Sequence, residues 1–319
     1  MYVRHWMVGI SLLAGCFGST VQAQQHAVLP PEKIIIDTDI GDDIDDAFAV
    51  ALALRSKEFD IVGISTTFGD TLGRARILDH LLGEAGREDV PVTVGVSSTV
   101  GATASPMTQR QFGELGHYSR ASHAGAVDFA LEQIRRYPGE ITLVAIGPLS
   151  NIGAMIDKSP DTFRMLKRVV LMGGSIYPAR PELKIEWNIK WDIGAAQKLF
   201  ESGVPLYVMP LDSTSNLSFS EVDRNHLFSK GLISKGTPLT DALKTLYGEW
   251  GYGRTPILYD VMTLAFMLDA TLCPVSPMHI RVDEAGVTKV EPGPPNANVC
   301  LHSEPVAFRR FYINRMLAH

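Results

Sequence analysis

Short apolar runs alternate along the chain with longer segments of helical character. Residues 34–36, 59–67 and 141–145 are rich in β-branched residues, the composition of buried strands. Residues 45–56 and 72–84, in contrast, have the composition and spacing of helices. This alternation predicts an α/β fold, with a single doubly wound, mostly parallel sheet flanked by helices.

The same pattern continues to the C-terminus, without an internal repeat or a low-complexity tract. It predicts further strands at residues 168–172 and 205–209, an apolar helix at 260–268 and a terminal helix from about 308 to 316. Residues 97–123 interrupt the pattern with a long polar connection. Connections of this kind often form lids or substrate walls.

The N-terminus has the pattern of a targeting segment. A basic start precedes an apolar core at residues 6–14, too short to span a bilayer, and VQA at 21–23 offers small residues for cleavage. Residues 1–23 are therefore predicted to be a secretory signal peptide. The sequence LAGC, ending at Cys16, also resembles a lipoprotein processing box. We expect a secreted or periplasmic protein, attached to a membrane only if Cys16 is lipidated.

The most informative stretch is the acidic turn, residues 37–46, which follows the first strand at the edge where open α/β sheets bind ligands. Six carboxylates fall within its ten positions: Asp37, Asp39, Asp42, Asp43, Asp45 and Asp46. Like charges at this density repel one another unless a cation lies among them, and hard oxygen ligands suit Ca²⁺ or Mg²⁺. Helix capping accounts for two or three of these acids but not for six. An EF-hand loop would need Glu where Phe48 stands, so the turn predicts a different kind of divalent-metal site.

Composition narrows the function further. The net charge is −6 and the chain has no basic block, so nucleic-acid binding has no electrostatic support. Three cysteines are present, of which Cys273 and Cys300 remain after either cleavage. In an oxidising compartment they could pair, or they could be two small buried side chains. Both alternatives stay open on the sequence alone.

From about residue 33 to the C-terminus, the chain resembles the inosine–uridine-preferring nucleoside hydrolase family. The resemblance rests on the acidic turn, on VAIGPLSN at 144–151, VVLMGG at 169–174 and EWN at 186–188, and on a late Asp260. It implies that residues 30–319 form one catalytic domain that hydrolyses the N-glycosidic bond of ribonucleosides to free base and ribose. It also implies Ca²⁺ as cofactor and a homo-oligomer, either a dimer or a tetramer.

The resemblance assigns roles to individual residues. Asp39 would be the general base toward the attacking water. The metal ligands would be Asp39, Asp46, Asp260 and the backbone carbonyl of Ile146. Substrate contacts would come from Asp45, Asp70, Met172, Glu186 and Asn188. Trp187 is a further candidate substrate contact, stacking on the base, because its neighbours match sugar-binding positions. A ring of carboxylates suits this chemistry, because cleavage builds positive charge on the ribose.

The chain departs from familiar members of the family at several positions. Tyr259 stands where they carry a His as leaving-group acid, and a phenol with an ordinary pKa near 10 is a poor acid at neutral pH, although it can still donate a hydrogen bond. The acidic turn is two residues longer, adding Asp42 and Asp43. His117 and His123 lie in the long connection and are expected to be exposed to solvent. The identity of the leaving-group acid and the base preference stay open.

Two other functions are compatible with parts of the pattern. A ribose- or nucleoside-binding protein that retains the metal site but is catalytically weak would explain Tyr259, although it would leave Asp39 without a purpose. A phosphohydrolase using Asp37 and Asp39 would leave the EWN motif unexplained. Release of sugar or of phosphate distinguishes these alternatives.

Overall fold

The computed structural model describes residues 1–2, 30–98, 103, 105–229 and 237–318. The chain divides into Met1–Pro30 and Pro31–His319, and the second unit carries the fold described below. Cys16 and nearly all of the predicted signal peptide lie outside the described residues, so the targeting hypotheses remain predictions. Within the described ranges, no helix combines the length and apolar character needed to cross a membrane.

A nine-stranded sheet forms the centre of the second unit. In spatial order its strands are β4 (Ala124–Gly125), β3 (Val92–Val94), β2 (Phe59–Thr66), β1 (Glu32–Thr38), β5 (Thr142–Ala145), β6 (Arg168–Met172), β7 (Leu206–Met209), β11 (Ala297–Cys300) and β8 (Val275–Met278). Only β8 runs antiparallel to its neighbour. Strands β9 (Ile280–Val282) and β10 (Thr288–Val290) form a separate antiparallel pair. The predicted sheet is confirmed.

Helices cover both faces of the sheet. They are α1 (Asp45–Leu54), α2 (Thr71–Glu84), α3 (Arg110–Glu114), α4 (Ala126–Arg136), α5 (Ser150–Lys158), α6 (Pro160–Phe163), α7 (Trp187–Lys190), α8 (Ile193–Glu201), α9 (Leu211–Thr214), α10 (Glu221–Ser229), α11 (Pro238–Gly251), α12 (Val261–Leu268) and α13 (Pro305–Leu317). Short 3₁₀ turns lie at Pro181–Leu183 and Ala270–Leu272. The described part of the long polar connection includes the short helix α3.

The isoleucine run in β1 shows why an apolar sequence without alternation forms this strand. Ile34 and Ile36 pack into the core under α1, α2 and α12, whereas Ile35 packs into the core under α4, α5 and α8. Because successive side chains of a strand point to opposite faces, both faces of β1 are buried, as expected for a central parallel strand. A disulfide joins Cys273 to Cys300, with Cα atoms 5.6 Å apart, so the structure favours the paired alternative.

The sheet order creates a crevice beside β1. The chain proceeds outward from β1 through β2, β3 and β4, and then returns to place β5 on the other side of β1. Loops leaving β1 and β5 therefore diverge, which defines the topological switch point where open α/β sheets bind ligands. The amide of Ile146 donates to the carbonyl of Asp37 at 2.8 Å, so the acidic turn and the turn after β5 lie side by side.

Candidate active site

A cavity of about 510 Å³ opens at this switch point. Its lining includes every residue with a predicted site role except Asp70: Asp39, Asp45, Asp46, Ile146, Met172, Glu186, Trp187, Asn188, Tyr259 and Asp260. Further lining residues, to which the sequence assigned no role in the site, are Pro106, Glu182, Leu183, Ile185, Lys190 and Leu211. We call Asp39, Asp45, Asp46 and Asp260 the floor of the cavity, and Leu183, Ile185 and Trp187 its rim.

Three floor carboxylates form a tight group. Oxygens of Asp45, Asp46 and Asp260 lie within 4.8 Å of one another, and none of these residues is more than 5% exposed. Burial raises the pKa of each carboxyl well above its usual range, and the charges of neighbouring carboxylates raise it further. A divalent cation among these oxygens would remove both penalties, so the donor set fits a hard metal ion.

Local structure fixes the group. Asp45 and Asp46 form the first turn of α1, and the hydroxyl of Thr38 donates to Asp46. Asp45 in turn accepts the amide of Asp260 at 3.1 Å, which ties α1 to the start of α12 from the far end of the chain. Two of the features that carry the resemblance, the acidic turn and the late Asp260, are thus brought together by one strand end and two helix starts.

Asp39 lies at the same edge and is 8% exposed. Burial raises the pKa of its carboxyl to about 6, although the nearby Arg74 guanidinium opposes the shift. Gly147 allows the close approach of the turn after β5. A Cβ atom there would lie 2.8 Å from the Asp39 amide nitrogen and 3.0 Å from its Oδ1, closer than packed atoms tolerate. The position of Asp39 therefore depends on a glycine in the neighbouring turn.

The EWN motif is anchored to the end of β6. Glu186 caps α7 by accepting the amides of Asn188 at 2.8 Å and Ile189 at 3.1 Å. It also accepts the amide of Gly174, just after β6, at 3.1 Å. Burial raises the pKa of Glu186 to about 7. The Asn188 side chain donates to the Met172 carbonyl at 3.1 Å. These bonds hold one wall of the cavity rigidly against the sheet.

The rim differs from this wall because its side chains are partly open to solvent. Trp187 is 41% exposed, and its ring meets Trp191 edge-on at 5.1 Å and Phe68 at 6.1 Å. Tyr259 lies deeper and lines the cavity beside Asp260. Burial, followed by the charge of Asp45, raises the pKa of Tyr259 to about 12. The phenol therefore keeps its proton throughout the neutral range.

Some predicted residues lie elsewhere. Asp70 caps α2 by accepting the Gly73 amide at 2.9 Å, and it pairs with Arg110 at 3.0 Å outside the cavity. Its sugar contact stays a prediction. The expected exposure of His123 is wrong, because its side chain is 5% exposed and its Nε2 lies 3.0 Å from an oxygen of the buried Asp79.

Sequence reasoning missed Arg74, which is 0% exposed and reaches the backbone beside Asp39. Its position in α2 has no signature in the periodicity, since an arginine near a helix start is ordinary on a solvated face. Thr38 was also given no role. The acidic turn brings many buried hydrogen-bond acceptors to one place, and buried acceptors require donors. This need for donors is the signal that could have pointed to Arg74 and Thr38.

Fold and site define an α/β enzyme with buried carboxylates that can hold a metal ion beside a cavity for a small molecule. The model of the inosine-uridine preferring nucleoside hydrolase family matches residues 34–310. The chain belongs to this family, and it is therefore an N-glycosyl hydrolase.

Individual relatives agree with this assignment. Uridine nucleosidase 1 of Arabidopsis thaliana is 30% identical over 275 residues, which cover 80% of this chain and 80% of that protein. A solved plant nucleoside hydrolase has a TM-score of 0.75 at 27% identity, covering 91% of this chain and 100% of that one. A purine-preferring ribonucleoside hydrolase from Gardnerella vaginalis has a TM-score of 0.76 at 25% identity, covering 89% and 98%.

Proposed function

We propose that this protein hydrolyses the N-glycosidic bond of ribonucleosides to free base and ribose in a Ca²⁺-dependent reaction, with Asp39 as the general base. The observation that carries the proposal is the buried floor, in which Asp45, Asp46 and Asp260 bring their oxygens within 4.8 Å of one another inside the cavity that Asp39 lines. So many buried carboxylates in one cavity suit the stabilisation of positive charge developing on a sugar.

The residues that would hold the calcium ion are Asp39, Asp46, Asp260 and the backbone carbonyl of Ile146. All four line the cavity, and an all-oxygen donor set is the one that Ca²⁺ prefers. When bound, the ion would supply Lewis-acid chemistry, orienting the sugar hydroxyls and lowering the pKa of the attacking water. Asp45, held by the Asp260 amide, is then left to contact a ribose hydroxyl.

The protein's own groups supply the remaining steps. Asp39, with a pKa of about 6, is mostly ionised at neutral pH and can accept a proton from water within hydrogen-bond range. Glu186 and Asn188 orient the sugar from the opposite wall, and Trp187 offers an exposed aromatic face for the base. Tyr259 donates a hydrogen bond to the departing base but transfers no proton, because its pKa is about 12.

Determining the base preference of this protein requires activity measurements on a panel of ribonucleosides. The Arabidopsis relative is called a uridine nucleosidase, whereas the bacterial structural neighbour is called purine-preferring. We propose ribonucleosides as the substrate class, because the carboxylate floor recognises a diol and developing charge, which all ribonucleosides share.

The test is ribose release from inosine, uridine, adenosine and cytidine, each with Ca²⁺ and with a chelator. Wild type is compared with Asp39→Asn, and with Asp60→Asn as a control whose side chain is 55% exposed. We expect chelator-sensitive release that falls at least ~10³-fold in Asp39→Asn and stays within about twofold in the control. Nucleoside binding without release from any substrate would contradict the proposal and support a binding protein.

We also propose that the protein is exported, as a soluble homo-oligomer or as a lipoprotein attached through Cys16. Support comes from the signal-like N-terminus and from the Cys273–Cys300 disulfide, which belongs to an oxidising compartment. Cell fractionation of wild type and Cys16→Ser distinguishes the two forms, since only a lipoprotein would leave the membrane fraction on substitution. Light scattering gives the molar mass of the purified protein and so distinguishes a dimer from a tetramer.

A further inference from the structure

Arg74 is an arginine whose side chain is entirely buried at the back of the acidic turn. Its Nε donates to the Phe68 carbonyl at 2.7 Å, and its Nη1 donates to the carbonyls of Asp39 and Ile40. Its Nη2 donates to Asp42 Oδ2 at 2.8 Å and to the Ser105 hydroxyl at 2.8 Å. A guanidinium has five N–H donors, so every donor of Arg74 has an acceptor.

These acceptors belong to three separate segments: the acidic turn, the turn after β2 that holds Phe68, and the long polar connection. The first and the third contribute residues to the lining of the cavity. Asp42 is one of the two residues that lengthen the acidic turn, and it also accepts the Ser105 hydroxyl and the Met107 amide, the latter at 2.7 Å. Between Ser105 and Met107 stands Pro106, which lines the cavity. The added carboxylate therefore attaches the Pro106 wall to the floor, with Arg74 at the junction.

Backbone strain is concentrated at the same junction. Among the described residues, Phe68 at φ 65° and Met107 at φ 44° are the non-glycine residues with positive φ. Arg74 binds the carbonyl of the first, and Asp42 binds the amide of the second. Strained conformations persist where surrounding structure over-determines them, and they cluster at functional sites. Packing alone does not require two such residues to share one arginine–carboxylate pair.

We propose that Arg74 is the positioning residue of this active site, fixing the main chain of Asp39 and, through Asp42, the Pro106 wall. The inference rests on the proposed function, because it concerns the residue assigned as general base. A lysine cannot replace Arg74, since its ammonium offers three donors from one point and cannot reach acceptors on three segments. Arg74 does not line the cavity, so its effect is exerted through Asp39.

The experiment compares wild type with Arg74→Lys and Arg74→Met, and with Arg120→Lys as a matched control. Arg120 also joins a buried carboxylate, that of Asp79 at 3.1 Å, to two backbone carbonyls, but it lies away from the cavity. For each folded variant, kcat and KM for ribose release are measured. Calcium alone is titrated calorimetrically, which needs no turnover.

We expect Arg74→Lys to lower kcat at least ~10-fold with a smaller change in KM, and to weaken calcium binding at least ~3-fold, because the carboxylate of Asp39 is displaced. Arg120→Lys should leave all three quantities within about twofold. If Arg74→Met does not fold, the lysine variant still decides the question. A folded Arg74→Lys protein with wild-type kcat and calcium affinity overturns the inference, as does an equal loss in Arg120→Lys.

The two hypotheses fail in different ways. Absence of ribose release from wild type overturns the proposed function, while the calcium titration of Arg74→Lys still tests the positioning of Asp39. Ribose release by wild type together with unchanged Arg74 variants overturns only the positioning role.

Discussion

The floor and the rim of the cavity are built in opposite ways. The floor consists of side chains at most 8% exposed, attached to helix starts and a strand end and held by Thr38, Arg74 and backbone amides. The rim consists of apolar side chains on a 3₁₀ turn, a loop and a four-residue helix, with Ile185 36% and Trp187 41% exposed. The difference separates the two tasks of a hydrolase, since chemistry needs fixed charges and substrate choice needs an adaptable surface.

The contrast also appears in the electrostatics. Burial raises the pKa values of the floor carboxyls, which makes the floor unfavourable for the folded protein unless a cation is bound. The rim carries no comparable penalty, because its contacts are aromatic edges and partly solvated apolar surface. Removing a floor carboxylate should therefore lower the activity but raise the stability of the metal-free protein. Substitutions in the rim should change substrate affinity alone.

The largest effect is expected from Asp260→Asn. Loss of one floor carboxylate should lower kcat/KM at least ~10³-fold and weaken calcium binding in calorimetry, because an amide is a neutral ligand. Asp60→Asn is the control. Retention of more than a tenth of the wild-type activity would show that the late aspartate is dispensable, contrary to the assignment of the floor.

The same variant tests the stability side of the comparison. The pKa of Asp260 is raised in the folded protein, so the unfolded chain loses its proton first, and stability falls as pH rises above the unfolded value of about 4. Without metal at pH 8, Asp260→Asn should therefore have a higher Tm than wild type. With Ca²⁺ the order should reverse. Differential scanning fluorimetry in chelator and in Ca²⁺ measures both, and a lower Tm in chelator would contradict the electrostatic argument.

The next largest effect is expected from Gly147→Ala. The added Cβ would lie 2.7 Å from Thr67 Cγ2 and 2.8 Å from the Asp39 amide nitrogen, so the turn after β5 must shift away from the general base. We expect a loss of about 10²-fold in kcat, since small misplacements of a catalytic group are costly. Gly125→Ala is the matched control, because nothing lies within 4 Å of its Cβ position. Equal kcat values for the two variants would refute the close-approach argument.

Trp187→Ala tests the rim. If the exposed indole stacks on the base, KM should rise about tenfold, because base–aromatic stacking contributes roughly 1–3 kcal/mol, while kcat should change less than about threefold. Tyr252→Ala, another exposed aromatic at 72%, is the control outside the cavity. A fall in kcat with unchanged KM would show that Trp187 contributes to the chemical step. It would contradict the assignment of catalysis to the floor and of substrate binding to the rim.

Much of the floor could be predicted from the sequence, because its carboxylates occur as a dense cluster directly after an apolar strand. The sheet could be predicted for a related reason, since both faces of β1 are buried and the isoleucine run is unambiguous. The tight triad, in contrast, contains Asp45 where the sequence assigned Asp39 as a ligand. Sequence order alone does not determine which of six neighbouring carboxylates face one another.

Arg74 and His123 could not be predicted, because their roles depend on partners far along the chain. Arg74 has acceptors at Asp39 and Ser105, and His123 contacts Asp79 across 44 positions. The polarity of the surrounding sequence suggested that the His123 side chain is exposed to solvent. Its pairing with a buried carboxylate makes burial of the side chain favourable. Of the three rim residues, only Trp187 was predicted, and the other two were missed for a different reason. Leu183 and Ile185 are isolated apolar residues in a polar loop, a pattern that carries no functional signal.

The smallest effect is expected from Tyr259→Phe, which removes only the hydroxyl at the boundary between floor and rim. A leaving-group acid would be indispensable, and its loss would cost about 10²- to 10⁴-fold in kcat. Burial and the nearby carboxylates raise the pKa of this phenol to about 12, a value that suits a hydrogen-bond donor better than an acid at neutral pH. We therefore expect kcat to fall less than about tenfold on inosine and on uridine, measured by ribose release. A loss of 10²-fold or more, confined to one of the two bases, would instead make Tyr259 the acid for that base.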